Sequence, residues 1–281
     1  MKVTLREALA ELHRSDLSRI DAQMLLLLAL GKNPHDRAWL MAHDGDMLSI
    51  EASTRLQVLL QRRQHGEPMA YLRGNQEFFG LTLQVDSRVL VPRPDTETLV
   101  NWALDVLDAG AGSEAPEVLD LGTGSGAIAL AIKARRPAAR VTATDASHAA
   151  LEVARANAGA LALKVDFHAG RWLAAVEAQR FNLIVSNPPY IAEGDPHLDT
   201  LHHEPETALT SGPDGLDDIR QLIVSAPAHL HPGGWLLLEH GHDQADAVRA
   251  LFKATGFEQT DSRTDLAGIE RCSGGRWPQQ R

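Results

Sequence analysis

A short apolar run, Glu117-Val118-Leu119-Asp120-Leu121, passes without a break into Gly122-Thr123-Gly124-Ser125-Gly126, and a helical pattern, Ala127-Ile128-Ala129-Leu130-Ala131-Ile132-Lys133, begins right after the last glycine. That order constrains the fold strongly. A short buried strand running through a glycine loop into a helix implies helices on both sides of a parallel sheet. Glycine is needed where backbone approaches a ligand, and the loop amides next to a helix N-terminus can face a cofactor at close range. The spacing is G-x-G-x-G, not the G-x-G-x-x-G of nicotinamide or flavin binders, and this difference points toward S-adenosylmethionine. A second strand, Arg140-Val141-Thr142-Ala143-Thr144, ends in Asp145, about 20 residues past the glycines, where an acid commonly binds both ribose hydroxyls. Two alternatives stay open: Asp145 as a cap for the helix starting near Ser147, and the glycine loop as a plain tight βα turn.

A third apolar run, Phe181-Asn182-Leu183-Ile184-Val185-Ser186, reads as another buried parallel strand and ends in Asn187-Pro188-Pro189-Tyr190. Two prolines remove two backbone donors and stop any ladder or helix, leaving the Asn187 side chain and the Pro188 carbonyl free to accept from a ligand. Such a corner can hold a planar NH2 group. In open α/β sheets ligands bind beyond the carboxyl ends of the strands, so the motif stands where a catalytic corner belongs. Tyr190 walls the pocket or packs on a flat group there, with an ordinary core aromatic as the other reading. Trp172, after the third strand, stacks on an adenine ring or is plain core.

From Thr4 to about Gly66 the spacing is helical, as in Leu5, Leu9 and Leu12, then Ile20, Met24, Leu27 and Leu28, then Leu56, Leu59 and Leu60, which describes a small bundle. Ser18-Arg19-Ile20-Asp21 resembles a capping box at the second helix, and Gly31 suits its C-terminal end. From Gln76 to Val91 the pattern shifts to alternation, predicting a hairpin with its turn at Asp86-Ser87-Arg88 that joins two domains. Pro94 suits the first turn of a helix beginning near Asp95, and Ala109-Gly110-Ala111-Gly112-Ser113 is a loop. Strands and helices then alternate from Glu117 to Gly256. Short strands near Phe257–Asp261 and Ile269–Cys272 close one edge, and Gly274 to Arg281 reads as a frayed tail. The segment Ile191 to Asp214 has no clear period and contains Gly194, Pro196, Pro205, Gly212 and Pro213, so it reads as a substrate-facing lid.

With 281 residues and 44% hydrophobic content, the chain can bury one large core and a smaller one. The single cysteine, Cys272, rules out an internal disulfide and reads as an ordinary strand residue. The start lacks a basic-then-apolar signal, and Met24 to Leu30 is too short to span a bilayer, so a soluble cytoplasmic protein is expected. A formal charge of -10 argues against broad contact with a nucleic-acid backbone and suits a basic protein partner better. His202-His203 and His240-Gly241-His242 have no nearby cysteine or matched ligand spacing, so they read as solvated or capping histidines and no metal is expected.

Taken together, these residues resemble the release-factor glutamine methyltransferases, the PrmC/HemK family. The match extends beyond Asp120–Gly126 and Asn187–Tyr190 to Pro68-Met69-Ala70-Tyr71-Leu72-Arg73-Gly74, Glu77-Phe78-Phe79-Gly80-Leu81, Val91-Pro92-Arg93-Pro94-Asp95-Thr96-Glu97, Glu204-Pro205, Gly215-Leu216 and Leu238-Glu239-His240-Gly241. Asp95 stands where the family usually has glutamate, and Gly170-Arg171 where an acid often contacts the adenine amino group. The resemblance implies an α/β, doubly wound class I S-adenosylmethionine methyltransferase domain (93–281), preceded by a helical substrate-docking domain (1–75) and a β-hairpin linker (76–92). It implies cofactor contacts from Gly122, Thr123, Gly124, Ser125, Gly126, Asp145, Trp172 and Asn187. Catalysis then falls to Asn187, Pro188 and Tyr190. Substrate contacts come from these residues with Pro189, Arg93 and Glu97, although Arg93 and Glu97 also have the plainer reading of a pair across one turn. The implied reaction methylates the glutamine amide of the Gly-Gly-Gln loop of peptide-chain release factors. A ribosomal-protein glutamine methyltransferase is the near alternative. Adenine-N6 methylation of DNA uses the same kind of pocket on a flipped base, and a non-catalytic S-adenosylmethionine sensor is the third.

Overall fold

The computed structural model describes residues 3–15, 17–110 and 114–279. Residues 111–113 of the expected loop and 280–281 of the expected tail lie outside them. The chain divides into two compact units, Met1–Gly74 and Asn75–Arg281.

The first unit is the expected helical bundle: α1 (Leu5–Leu12), α2 (Arg19–Ala29), α3 (Arg37–Ala42), α4 (Ile50–Gln64) and α5 (Met69–Arg73). Leu5, Leu12, Leu25, Leu26, Leu40 and Leu56 form its core. The buried stripe of α2 runs through Ala22, Leu25, Leu26 and Ala29, while Ile20 is half exposed. The complete capping box lies at α1, not α2: Thr4 Oγ1 accepts from the Glu7 amide at 3.3 Å and the Glu7 carboxylate accepts from the Thr4 amide at 2.8 Å. At α2 only the Ser18 hydroxyl bond to the Asp21 amide forms, at 3.0 Å, because the Asp21 carboxylate turns to Arg63 at 3.1 Å.

The second unit begins with the hairpin β1 (Asn75–Phe78) and β2 (Leu81–Gln84). Its turn is Phe79-Gly80, with φ of 52° and 78°, the left-handed pair that two-residue hairpins favour. Asp86-Ser87-Arg88 is a separate turn, closed by the Val89 amide on the Asp86 carbonyl at 3.1 Å. Phe78 and Leu83 share one core with Leu99, Val100 and Trp102, so the hairpin is part of this unit and not a separate linker.

There follow α6 (Glu97–Asp108), β3 (Glu117–Leu121), α7 (Ala127–Arg135), β4 (Arg140–Asp145), α8 (His148–Ala160), β5 (Asp166–Ala169), β6 (Phe181–Ser186), α9 (Asp217–Ser225), β7 (Leu230–Glu239), α10 (Ala245–Thr255), β8 (Glu258–Thr264) and β9 (Glu270–Arg276). The seven strands from β3 onward form one sheet in the order β5-β4-β3-β6-β7-β9-β8. The first five are parallel to one another, and β9 runs antiparallel to both its neighbours, β7 and β8. Alternate residues of the central strands serve opposite cores: Val118, Leu183, Val185 and Leu237 face α6 and α7, whereas Leu119, Ile184, Leu236 and Leu238 face α9 and α10. The chain leaves β3 for β4 on one side and returns to β6 on the other, so the crevice opens beyond the carboxyl ends of β3 and β6.

The first three residues of the expected frayed tail, 274–276, instead belong to an interior strand, β9. Gly274 and Gly275 pair with Leu237 and Leu236, and a Cβ at Gly274 would lie 2.4 Å from a Leu237 methyl. Glycine there reflects tight packing, not looseness. Cys272 is buried in the same strand.

Candidate active site

The glycine loop leaves β3 at Gly122, whose φ is +70°. The Gly122 and Thr123 amides both donate to the Thr144 carbonyl at 2.9 Å, and the Gly126 amide donates to the Thr123 carbonyl at 2.8 Å, which winds the loop tightly before α7. Asp120 anchors it from below, accepting from the Thr123 hydroxyl at 2.6 Å and the Ala129 amide at 3.1 Å. Burial pushes the Asp120 carboxyl up to about 7 against those bonds, and its Oδ1 has no partner.

Asp145 stands beside the loop. Its two oxygens accept from the Gly124 amide at 2.9 Å and the Ser147 amide at 2.8 Å, and burial raises its pKa. It does not cap α8; the Ser147 hydroxyl does that, accepting from the Ala150 amide at 3.1 Å. Trp172 has a left-handed backbone, φ 51°, and donates its indole N–H to Asp218 at 3.0 Å. The ring lies so close to Gly122 that a Cβ there would approach it to 3.1 Å.

These groups line a cavity of about 550 Å³. Gly122, Gly124, Asp145, Trp172, Asn187 and Pro189 all lie on its wall, while Thr123 and Ser125 are buried in the loop and, with Gly126, do not. A second cavity of about 340 Å³ is lined by Arg93, Tyr190, Ile191, Leu201 and Leu209. The two share Leu90, Asn187 and Ala208, so Asn187 stands at their junction. Pro188 is buried and lines neither, which removes the Pro188 carbonyl from the described wall.

Arg93 pairs with Glu204, not with Glu97. Glu204 is buried and also accepts from the Val91 amide at 3.0 Å. Glu97 accepts from the Phe79 amide at 2.8 Å and lines neither cavity, so it fixes the hairpin turn. The Ile191 to Asp214 segment folds back on itself, with the Ile191 amide on the Leu209 carbonyl at 2.9 Å and the Ser211 amide on the Ile191 carbonyl at 3.0 Å. Its residues Pro205 to Ala208 wall the larger cavity, and Leu201 and Leu209 the smaller.

A family model described as "Methyltransferase small domain" matches residues 102–261, and another described as "PrmC N-terminal domain" matches residues 4–74. The chain is 50% identical over 265 residues to a release factor glutamine methyltransferase of Xylella fastidiosa, covering 93% of this chain and 94% of that one. It is also 50% identical over 279 residues to one from Burkholderia pseudomallei, covering 96% of each.

The chain belongs to the release factor glutamine methyltransferase family.

It is therefore an enzyme of the methyltransferase class, as the motif resemblance implied. A methyltransferase from Pyrococcus furiosus has the same fold, with a TM-score of 0.54 at 20% identity over 78% of this chain and 98% of that one.

Several family motifs acquire a physical meaning here. Gly215, φ +73°, lies against the Tyr190 carbonyl, which a Cβ would meet at 2.2 Å. The same carbonyl accepts from Gln244 Nε2 at 3.0 Å. Asn187 Nδ2 donates to the Thr96 hydroxyl at 3.2 Å, and the Tyr190 hydroxyl donates to Glu239 at 3.3 Å. Thr96, Gln244, Glu239 and Asp218 went unassigned in the sequence. Glu239 could have been found as an acid at the carboxyl end of a parallel strand, while Gln244 and Asp218 carry no comparable signal. Arg88, expected at a hairpin turn, lines the larger cavity with Val89 and Leu90, which follow it. His240 is buried, not solvated, between the Gly241 carbonyl and the Ser273 hydroxyl. Among the described residues no group of three or more His, Cys, Asp or Glu could hold a metal ion, and no helix is long and apolar enough to cross a membrane.

Proposed function

We propose that this methyltransferase moves a methyl group from S-adenosylmethionine to the side-chain amide nitrogen, N5, of the glutamine in the Gly-Gly-Gln motif of cytoplasmic peptide-chain release factors. The observation that carries the reading is Asn187 at the junction of two cavities, one floored by the glycine loop and the other walled by Tyr190, Leu201 and Leu209. The larger cavity suits the cofactor. Gly122 and Gly124 expose backbone to it, Asp145 offers free lone pairs for two ribose hydroxyls, and Trp172 presents a ring. Asp218, which accepts from the Trp172 indole, is an acid beside the ring where Gly170-Arg171 stands in place of the usual one. When bound, S-adenosylmethionine supplies a methyl group on a positively charged sulfur.

The smaller cavity, mostly apolar, suits an extended glutamine side chain. An amide nitrogen is a poor nucleophile because its lone pair is delocalised into the carbonyl. Asn187 must therefore aim it. With its Nδ2 committed to Thr96, its Oδ1 is left to accept from the substrate NH2, orienting the nitrogen and stabilising positive charge as it develops. Pro188 stiffens the corner and Tyr190 walls it. A protonated N-methyl amide is very acidic, so its proton leaves for water and no side chain need act as a strong base. The helical unit, by this proposal, docks the protein substrate. A short Gly-Gly-Gln peptide should then lose several orders of magnitude in kcat/KM against the intact factor.

Transfer of labelled methyl to release factor, ribosomal protein and DNA side by side tests the assignment. Label must appear on the release-factor glutamine; transfer to the ribosomal protein or DNA alone would replace it. The net charge of -10 favours a protein acceptor over DNA.

A further inference from the structure

We propose that Asp218 and Arg171 together read the amino-bearing edge of the cofactor's adenine, Asp218 accepting from the NH2 group and Arg171 donating to the ring nitrogen beside it, so that this pair sets the purine preference of the larger cavity. This rests on the reading of that cavity as the S-adenosylmethionine site. Adenine carries one donor, its amino group, flanked by ring nitrogens that only accept, and a wall that matches both needs an acceptor next to a donor. Position 171 cannot supply the acceptor, because a guanidinium has several N–H donors and no lone pair to offer.

Asp218 supplies it from another element. It stands in the first turn of α9, 46 residues past Trp172, yet its Oδ1 accepts from Trp172 Nε1 at 3.0 Å and from the Arg171 guanidinium at 3.1 Å. Its Oδ2 accepts from the Ser211 hydroxyl at 2.8 Å, and the Ser211 oxygen accepts in turn from the Asp218 amide at 2.8 Å. Ser211 is 3% exposed and Asp218 9%, so the carboxylate is held firmly in place. Three donors meet a carboxylate that has about four lone-pair sites, which leaves room for an N–H from a ligand. Arg171, Trp172 and Asp218 all line the larger cavity. Trp172, at φ 51°, has a backbone conformation that a bulky residue keeps only where its surroundings over-determine it, and its indole bond to Asp218 is such a restraint. Ring, acceptor and donor thus share one stretch of wall. The Arg171 side chain is 68% exposed, so its ion pair with Asp218 contributes little to stability, and its remaining N–H groups are available to a ring nitrogen.

Hypoxanthine inverts the pattern. With an oxygen in place of the amino group it sets an acceptor against the Asp218 carboxylate, and a site built to accept an N–H rejects a ligand that lacks it.

The test measures, by calorimetry on the full-length enzyme, the affinities of S-adenosylhomocysteine and of S-inosylhomocysteine, whose purine is hypoxanthine. The wild type should prefer the adenosyl compound by about thirtyfold or more. Asp218→Asn keeps an oxygen for the Trp172 indole but gains an NH2 that can donate to the inosyl oxygen, so the preference should shrink to about threefold or less. Arg171→Met should weaken S-adenosylhomocysteine by about threefold to tenfold. Equal affinity of the wild type for the two compounds would overturn the inference. So would an equal loss of both in Asp218→Asn with the preference kept, the result expected if Asp218 only braces Trp172. Unchanged S-adenosylhomocysteine affinity in Arg171→Met would overturn the role of the donor. Should Asp218→Asn not fold, the wild-type ratio and Arg171→Met decide. A wild type that binds neither compound would refute the cofactor reading of the cavity instead.

Discussion

At the carboxyl end of β3 the cavity wall is made by neighbouring loop residues and mainly by backbone, at Gly122 and Gly124, with Asp145 of the next strand pinned to the Gly124 amide. At the carboxyl end of β6 the corner is held by side chains drawn from far along the chain: Thr96 on Asn187, Glu239 on Tyr190, Gln244 on the Tyr190 carbonyl, and Glu204 on Arg93. Under the proposed function, the contrast follows from what each side must do. A large, chemically varied cofactor is met by loop geometry that glycines supply locally. A single NH2 group must be aimed at one atom, which requires a side chain whose every other freedom has been removed by neighbours. The first wall should tolerate side-chain changes away from its glycines and its acid. The second should fail when any distant partner is lost.

The largest expected effect separates the two walls directly. Asn187→Ala should lower kcat by about a hundredfold, roughly 2.7 kcal/mol, and leave S-adenosylmethionine affinity nearly intact, because its bonds matter most in the transition state. Single-turnover rates and calorimetry on the same preparation check this. A collapse of cofactor affinity would mean the walls are one structure, and normal turnover would remove Asn187 from the chemistry. Next comes Glu204→Ala, which strips Arg93 of its partner and leaves the Val91 amide unpaired. Urea unfolding should register a loss of about 2 kcal/mol, tempered by the partial exposure of Arg93. No change would show that the long-range wall is not held as described.

Asp145→Ala, on the other wall, should weaken S-adenosylmethionine by about tenfold, roughly 1.4 kcal/mol, with kcat at saturation much less affected. Calorimetry reads it, and unchanged affinity would reduce Asp145 to a loop anchor. The smallest effect tests how far backbone sets that wall. A Cβ at Gly124, φ +54°, meets nothing within 4 Å, so Gly124→Ala should cost only the left-handed strain of about 1 kcal/mol in stability. Gly122→Ala adds contact with Trp172 at 3.1 Å and should weaken cofactor binding more. Equal affinities in the two variants would show that Trp172 yields freely.

The same contrast explains what was legible beforehand. The helical unit, the parallel sheet, the glycine loop with Asp145, and Asn187 at the end of β6 were all readable, because periodicity and turn chemistry are local. The misreadings are nonlocal. The hairpin turn was placed at Asp86–Arg88 because the φ of Phe79 is fixed by the hairpin geometry and by the hydrogen bond its N–H donates to the Glu97 carboxylate, 18 residues on. Gly274 and Gly275 read as loose chain because only the folded sheet shows that Leu237 and Phe257 leave no room for a Cβ.

Sequence by itself determined an α/β domain with a helical first unit, since strand burial, glycine spacing and the Asn-Pro-Pro-Tyr corner are all written in neighbouring residues, and the resemblance of its motifs implied the methyltransferase activity. Tertiary structure alone decided the pairing of Arg93 with Glu204 rather than Glu97, the retreat of Pro188 from both cavities, and the burial of Glu239 behind Thr96 and Tyr190. Those are matters of which side chains meet across the crevice. A hydrogen bond is specified by distances of about 3 Å, which no spacing along a chain can encode until the sheet brings its strand ends together.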